Sequence, residues 1–316
     1  MSKIAIIGSG LIGSSWGIVF ARKGHEVRIF DQNENAFSAS KKYIEAELKT
    51  QAANDDELHA WLGAIRHTTE LSTAIEDACY VQEAAFERED VKTAIFSALD
   101  EQVEDNVILA SSASGIPCSA FTEHLIHRTQ CVIAHPVNPP HLIPLVEVVP
   151  APWTSNATVR RTMALMQQVG QSPVQVKKEI EGFILNRLQG ALLNEAWWLF
   201  EEGYASIDEI DRTVRDGLSL RWSFMGPFQT IDLNAPDGIG DYARRLAPLY
   251  FSIASSRANP TPWSSNAIEA ASKEMKALRQ RLENKDLQAW RNEMLRSFMT
   301  WRLTNNITPD SRRNDI

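Results

Sequence analysis

The sequence predicts an α/β protein in which a doubly wound sheet is followed by an all-helical C-terminal domain. Three observations lead there. Up to about residue 178, short apolar runs alternate with helical patterns, the signature of a parallel sheet covered by helices on both faces. A glycine-rich segment, Gly8-Ser9-Gly10-Leu11-Ile12-Gly13, directly follows the first run. After about residue 180 the short runs give way to long helical periodicities. At 316 residues the chain exceeds the usual size of one hydrophobic core, and a division into 1–178 and 179–316 is expected.

The strand candidates of the first half are Lys3 to Ile7, Glu26 to Phe30, Tyr80 to Ala84, Val107 to Ala110, Cys131 to Ala134 and Leu145 to Val149. Each is rich in residues that suit a buried sheet. Pro173 to Val176 is a possible addition. Val159, Met163, Met166 and Val169 recur at helical spacing and Gly170 follows, so a helix with a C-terminal glycine cap and core methionines is expected.

In the second half, Leu185, Leu188, Leu192, Ala196 and Leu199 share one helical face. Ser206 followed by Glu209 reads as a capping box. The last 50 or so residues carry one amphipathic pattern through Leu278, Leu282, Trp290, Met294 and Trp301, then a polar tail from about Asn305, expected to be helix followed by disorder. The apolar residues of this half can be buried internally or against a second subunit, and the sequence leaves both open.

With 44% apolar residues and no apolar stretch approaching the roughly 18 residues of a membrane span, the expectation is a soluble protein. Lys3 to Ile7 already reads as a strand, so no export signal is expected. Cys79, Cys118 and Cys131 have neither an even count nor metal-ligand spacing, which points to a reducing cytoplasm with no disulfide framework and no metal. A net charge of −8 disfavours a nucleic-acid surface.

The glycine segment stands where a GxGxxG motif has meaning, after a strand and before the helical pattern Ser14 to Lys23. Gly8 would make the tight turn, Gly10 would admit a pyrophosphate, and Gly13 would let the helix pack closely. Asp31 ends the second strand, where a carboxylate accepts from a ribose hydroxyl and repels a 2'-phosphate. A Rossmann-type domain binding NAD is the expectation, with FAD the nearer competitor.

Ligands of such sheets sit beyond the strand ends, which singles out Glu87, Ser114 and His135. His135 directly follows the Cys131 to Ala134 run and precedes Pro136, which biases its backbone toward an extended form. Histidine titrates close to neutrality and suits a general base. Glu147 lies in the apolar run Pro144 to Pro150, where a charge needs a partner. His135 is the candidate, because a carboxylate there would hold one tautomer and stabilise the imidazolium. The other possibility is an edge strand with Glu147 pointing outward.

These residues, with Ser-Ser-Ala-Ser around Ser114, His-Pro-Val-Asn-Pro from His135, Gly182-Phe183-Ile184-Leu185-Asn186-Arg187 and Met225-Gly226-Pro227-Phe228 in that order, make the chain similar to one family. It resembles the 3-hydroxyacyl-CoA dehydrogenase superfamily along nearly its whole length, and most closely the lambda-crystallin and L-gulonate 3-dehydrogenase branch. The resemblance implies that His135 and Glu147 are the catalytic dyad, that Ser114 and Asn186 hydrogen-bond the reacting oxygen, and that Glu87 and Lys92 help position the cofactor. It also implies a homodimer.

CoA-using members typically end with a glycine-rich, lysine-containing segment before a Phe-Tyr pair, which this sequence lacks. Where they carry a short Gly-Tyr-Pro turn, this chain runs Gly217 to Phe224 and includes Arg221. The Arg221 guanidinium matches a carboxylate and favours a free L-3-hydroxy acid over a thioester. Three readings stand at this point: a free-acid dehydrogenase of the L-gulonate type, a short-chain L-3-hydroxyacyl-CoA dehydrogenase, and a crystallin-like structural protein without turnover.

Overall fold

The structure is a computed structural model that describes residues 2–257, 262–279 and 283–305. The chain divides into two compact units, 1–189 and 190–316.

Among the described residues of the first unit, eight strands form one sheet: β1 (Lys3–Ile7), β2 (Glu26–Phe30), β3 (Ile65–Thr68), β4 (Ala78–Glu83), β5 (Ile108–Ser111), β6 (Cys131–Pro136), β7 (Leu145–Pro150) and β8 (Ser172–Gln175). Their order is β3-β2-β1-β4-β5-β6-β7-β8. The direction of travel reverses between β1 and β4, opening a crevice at their C-terminal ends.

Strands rich in branched residues alternate their side chains between two covered faces. Ile4 and Ile6 of β1 pack with Trp16 and Phe20 of α1 (Leu11–Ala21), Leu48 of α2 (Ala36–Lys49) and Met166 of α7 (Asn156–Gln168). Ala5 and Ile7 pack on the opposite face with Ile75 of α4 (Leu71–Ile75), Phe96 of α5 (Glu89–Asp100) and Phe121 of α6 (Ser119–Thr122). A further helix, α3 (Asp55–Gly63), precedes β3. After α7, Gly170 takes φ +83° and ends the helix as its sequence predicts.

Two expectations need correction. The sheet is mixed, because β7 runs antiparallel to β6 while the other neighbouring strands are parallel. The short β6–β7 link, residues 137–144, leaves no room for a crossover helix and so the chain simply doubles back. The sequence reading also lacks β3. That strand lies at the sheet edge and reads Ile-Arg-His-Thr, without the apolar run that marks a central strand.

Helix α8 (Leu185–Glu201) leads from the first unit into the second, which contains α9 (Ile207–Arg212), α10 (Ser219–Trp222), α11 (Pro227–Leu233), α12 (Gly238–Ser255), α13 (Ser265–Arg279) and α14 (Asn284–Thr304). The Ser206–Glu209 capping box is present. The C-terminal pattern is divided between α13 and α14 rather than forming one helix; Leu282 and the tail beyond Asn305 lie outside the described residues. Between residues 190 and 305, the described residues classed as buried are Thr230, Ala235, Ala267 and Ala271, none of them large. No helix among the described residues is long and apolar enough to cross a membrane.

Candidate active site

The glycine segment lies at the crevice between β1 and β4. Gly8 has φ +109°, and a Cβ there would come within 2.7 Å of the Ala84 carbonyl oxygen, so both conformation and space demand glycine. A Cβ on Gly13 would lie 1.9 Å from the Gly8 oxygen. Gly10, at the N-terminus of α1, would meet nothing within 4 Å. The protein therefore leaves open the place where backbone N–H groups can face a phosphate.

Asp31 closes this region from β2. Its Oδ2 accepts from the Ser9 N–H at 2.9 Å and the Ser9 hydroxyl at 2.7 Å, and its Oδ1 accepts from the Asn33 N–H at 3.0 Å. Burial alone would raise the carboxyl's pKa, but these donors outweigh it and hold Asp31 below the usual carboxylate range. Gly8, Gly10, Leu11 and Asp31 line a cavity of about 840 Å³. Ala84 and Ala85 also line a second cavity of about 450 Å³, shared with Ile12, Glu87, Ser114, His135 and Asn186. An open glycine, a helix N-terminus and an ionised acceptor at the end of β2 fit a dinucleotide, whose two halves would occupy the adjoining cavities.

In the second cavity, the antiparallel register places His135 directly opposite Glu147. Their side chains meet at 2.8 Å, from His135 Nδ1 to Glu147 Oε2. Glu147 is 1% exposed and lies on β7, flanked by β6 and β8, so the outward edge position does not occur. Its Oε1 accepts from the Ile184 and Leu185 N–H groups at 2.8 and 3.0 Å, at the N-terminus of α8. Burial pushes this carboxyl up, but the His135 hydrogen bond and the two backbone donors more than offset it, leaving its pKa lowered. An ionised carboxylate only accepts, so Nδ1 carries the proton and Nε2 presents a lone pair.

Phe183, just before α8, holds a left-handed backbone at φ +50° next to Gly182 at φ +73°. This turn aims the first N–H groups of α8 at Glu147, and the buried Phe183 ring packs 5.6 Å from the imidazole. A phenylalanine in that region stores strain that the surrounding contacts must offset.

Ser114 and Glu87 form the opposite wall. Glu87 Oε1 accepts from the Ser114 N–H at 2.7 Å, the Ser114 hydroxyl at 3.1 Å and the Gly115 N–H at 3.0 Å. Burial raises the Glu87 carboxyl, yet the Lys92 ammonium and these donors win and keep it below its ordinary range. Asn186 Nδ2 donates to the Ser114 carbonyl at 2.6 Å and retains a second N–H. Lys92 does not border the cavity; it is 1% exposed and bridges Glu83 at 3.0 Å and Glu87 at 3.4 Å. Arg221 lies on α10, in the second unit, and is exposed.

Sequence reasoning overlooks Glu83, Ser9 and the left-handed Phe183. Glu83 carries the same signal that singled out Glu147, a charge within an apolar run. Ser9 and Phe183 carry none, since their roles depend on partners 22 and 48 residues away, Asp31 and His135.

The family description "3-hydroxyacyl-CoA dehydrogenase, NAD binding domain" matches residues 3–180, and the C-terminal domain of the same family matches 182–284. The chain belongs to the 3-hydroxyacyl-CoA dehydrogenase family. It is thus an NAD-dependent oxidoreductase by family, with the first cavity in the NAD-binding domain. A lambda-crystallin of Oryctolagus cuniculus is 43% identical over 249 residues, 77% of this chain and 78% of the relative. An L-carnitine dehydrogenase of Streptomyces coelicolor is 35% identical over 236 residues, 75% and 74% of the two chains. Among solved structures, a 5-formyl-3-hydroxy-2-methylpyridine 4-carboxylic acid 5-dehydrogenase, an NAD+-dependent dismutase, superposes with TM-score 0.77 at 26% identity, covering 96% of this chain and 98% of that one.

Proposed function

We propose that this family member oxidises the 3-hydroxyl of a free L-3-hydroxy acid, in the manner of an L-gulonate 3-dehydrogenase. The observation that carries the chemistry is the buried His135–Glu147 pair at 2.8 Å, of which His135 borders the same cavity as Ser114 and Asn186. With Nδ1–H committed to Glu147, His135 Nε2 takes the proton of the substrate hydroxyl. Glu147, ionised and anchored by two backbone donors, stabilises the imidazolium that results. The second N–H of Asn186 and the Ser114 hydroxyl, once turned from Glu87, hydrogen-bond the carbonyl oxygen as it forms. NAD would supply the hydride acceptor; Gly8, Gly10, Leu11, Ile12, Gly13 and Asp31 would hold it, and Glu87, backed by Lys92, would help position it.

Arg221 supports a free acid, because a guanidinium recognises a carboxylate by a paired fork of donors. The similar L-carnitine dehydrogenase is named for a substrate that is itself a free 3-hydroxy acid. The family's name favours the second reading, a short-chain L-3-hydroxyacyl-CoA dehydrogenase. A substrate panel separates the two. Purified protein with NAD should form NADH faster from L-gulonate or L-3-hydroxybutyrate than from L-3-hydroxybutyryl-CoA; the reverse order would overturn the free-acid assignment. Tight NADH binding with no turnover of any of them would instead favour a crystallin-like role.

The helical part, residues 179–316, is assigned to substrate binding and to pairing with a second copy of this chain. Support comes from its large exposed side chains, including Phe251 at 74% and Trp290 at 58%, far more apolar surface than a lone unit leaves to water. The three free thiols, two of them buried, fit a reducing, cytoplasmic setting.

A further inference from the structure

Behind Ser114 lies a charged cluster whose innermost member, Glu83, has no part in the chemistry above. Glu83, at the end of β4, is fully buried, and the Lys92 side chain opposite it is 1% exposed. Lys92 Nζ donates to Glu83 Oε1 at 3.1 Å and Oε2 at 3.0 Å, and its third reach is toward Glu87 Oε2 at 3.4 Å. Glu83 Oε1 also accepts from the Ala85 N–H at 2.7 Å, and Oε2 accepts from the Ser111 hydroxyl. One carboxylate thereby fixes the segment leaving β4, the end of β5 and helix α5.

The line of contacts continues to the cavity. Lys92 touches Glu87, and Glu87 holds the Ser114 N–H, the Ser114 hydroxyl and the Gly115 N–H. A buried ion pair adds little net stability compared with apolar side chains of similar volume. Its value here is geometric, since charge-assisted hydrogen bonds are short and directional. Without Glu83, Lys92 would face Glu87 alone, and its ammonium would draw the Glu87 carboxylate away from the Ser114 turn.

We propose that Glu83 is a positioning residue for the reaction: through Lys92 and Glu87, which holds the Ser114 and Gly115 N–H groups, its buried carboxylate sets the backbone of the turn from which the Ser114 hydroxyl reaches the substrate oxygen. The proposal rests on the role given to Ser114 above. Ser111 takes part as well, because its hydroxyl holds Glu83 while accepting from the Ala113 N–H at 3.1 Å, one residue before Ser114.

The test is a double-mutant cycle with Ser114→Ala, using L-gulonate or L-3-hydroxybutyrate, whichever the wild type oxidises faster. Turnover is normalised to NADH-binding sites counted by fluorescence titration, so that a loss of folded protein does not register. Glu83→Gln keeps the volume and an acceptor for the Ala85 N–H but removes the negative charge that faces Lys92. We expect kcat per site to fall roughly 10-fold, with KM for the hydroxy acid within about 2-fold, as for a contact strengthened in the transition state. In the Ser114→Ala background the same change should cost less than about 2-fold, because the two residues act on one contact.

Full activity per site in Glu83→Gln would overturn the proposal, and so would an equal loss in both backgrounds. If Ser114→Ala alone leaves kcat unchanged, the role of Ser114 fails first and the proposal falls with it. Should Glu83→Gln not fold, Ser111→Ala carries the same cycle with an expected loss of about 3-fold, again absent in the Ser114→Ala background; no loss, or a loss independent of Ser114, would refute it.

Discussion

Ile6, in the central strand of the first unit, is wholly buried, whereas Phe251, on α12 of the second, is 74% exposed. The contrast is general to the two units. In the sheet unit, residues of the inner strands enter one of two cores, and even charges such as Glu83 and Glu147 are buried with partners. In the helical unit the described buried residues are small. The sheet unit thus has a finished interior and can hold a site rigidly, while the helical unit presents apolar faces that suit a partner.

The largest expected effect tests the chemistry assigned to the sheet unit. His135→Gln should lower turnover by roughly two to four orders of magnitude through loss of the general base, while NADH affinity by fluorescence titration stays within about 2-fold because the cofactor cavity is intact. Near-wild-type kcat would remove the basis for the assigned mechanism.

Stability measurements sharpen the comparison itself. Ile6→Ala should cost about 2–5 kcal/mol in urea unfolding, as for a fully buried aliphatic side chain. Phe251→Ala in a lone chain should cost no more than about 0.5 kcal/mol. A larger loss that grows with protein concentration would show that a second copy covers Phe251, and sedimentation velocity would report the weakened association.

An intermediate effect concerns the cofactor. Asp31→Ala should weaken NAD about 10-fold, the equivalent of one charge-assisted hydrogen bond, and narrow its advantage over NADP. Equal binding ratios in mutant and wild type would place selectivity elsewhere.

The smallest effect is a pH dependence. The Glu147 carboxyl is held below its ordinary value in the folded chain, so the stability it contributes is present above the unfolded value near 4.5 and is lost as pH falls through the lowered one. Relative to wild type, Glu147→Gln should show a shallower loss of stability on acidification below about pH 4.5. Parallel curves for the two proteins across that range would contradict the assigned linkage.

Much of this was legible in the residues. The apolar runs located the six inner strands because a central strand must be apolar on both faces, and Pro173 to Val176 marked the edge strand β8. The glycine turn was readable because its conformation and close packing leave no room for a Cβ at Gly8 or Gly13. Glu147 and its partner were inferred from the cost of an unpaired charge in an apolar run. Strand β3 was not legible, since an edge strand does not need the pattern.

The amino-acid sequence by itself determined the local matters: where strands and helices form, which glycines the turn demands, and which polar residues stand at strand ends. These follow from periodicity, sterics and solvation over a few neighbouring residues. The tertiary structure decided what met what. By reversing β7 it set His135 face to face with Glu147, brought the start of α8 onto the same carboxylate, and stacked Glu83, Lys92 and Glu87 behind Ser114. Such contacts join residues up to 38 positions apart, and their geometry depends on strand order and direction, which no local pattern encodes.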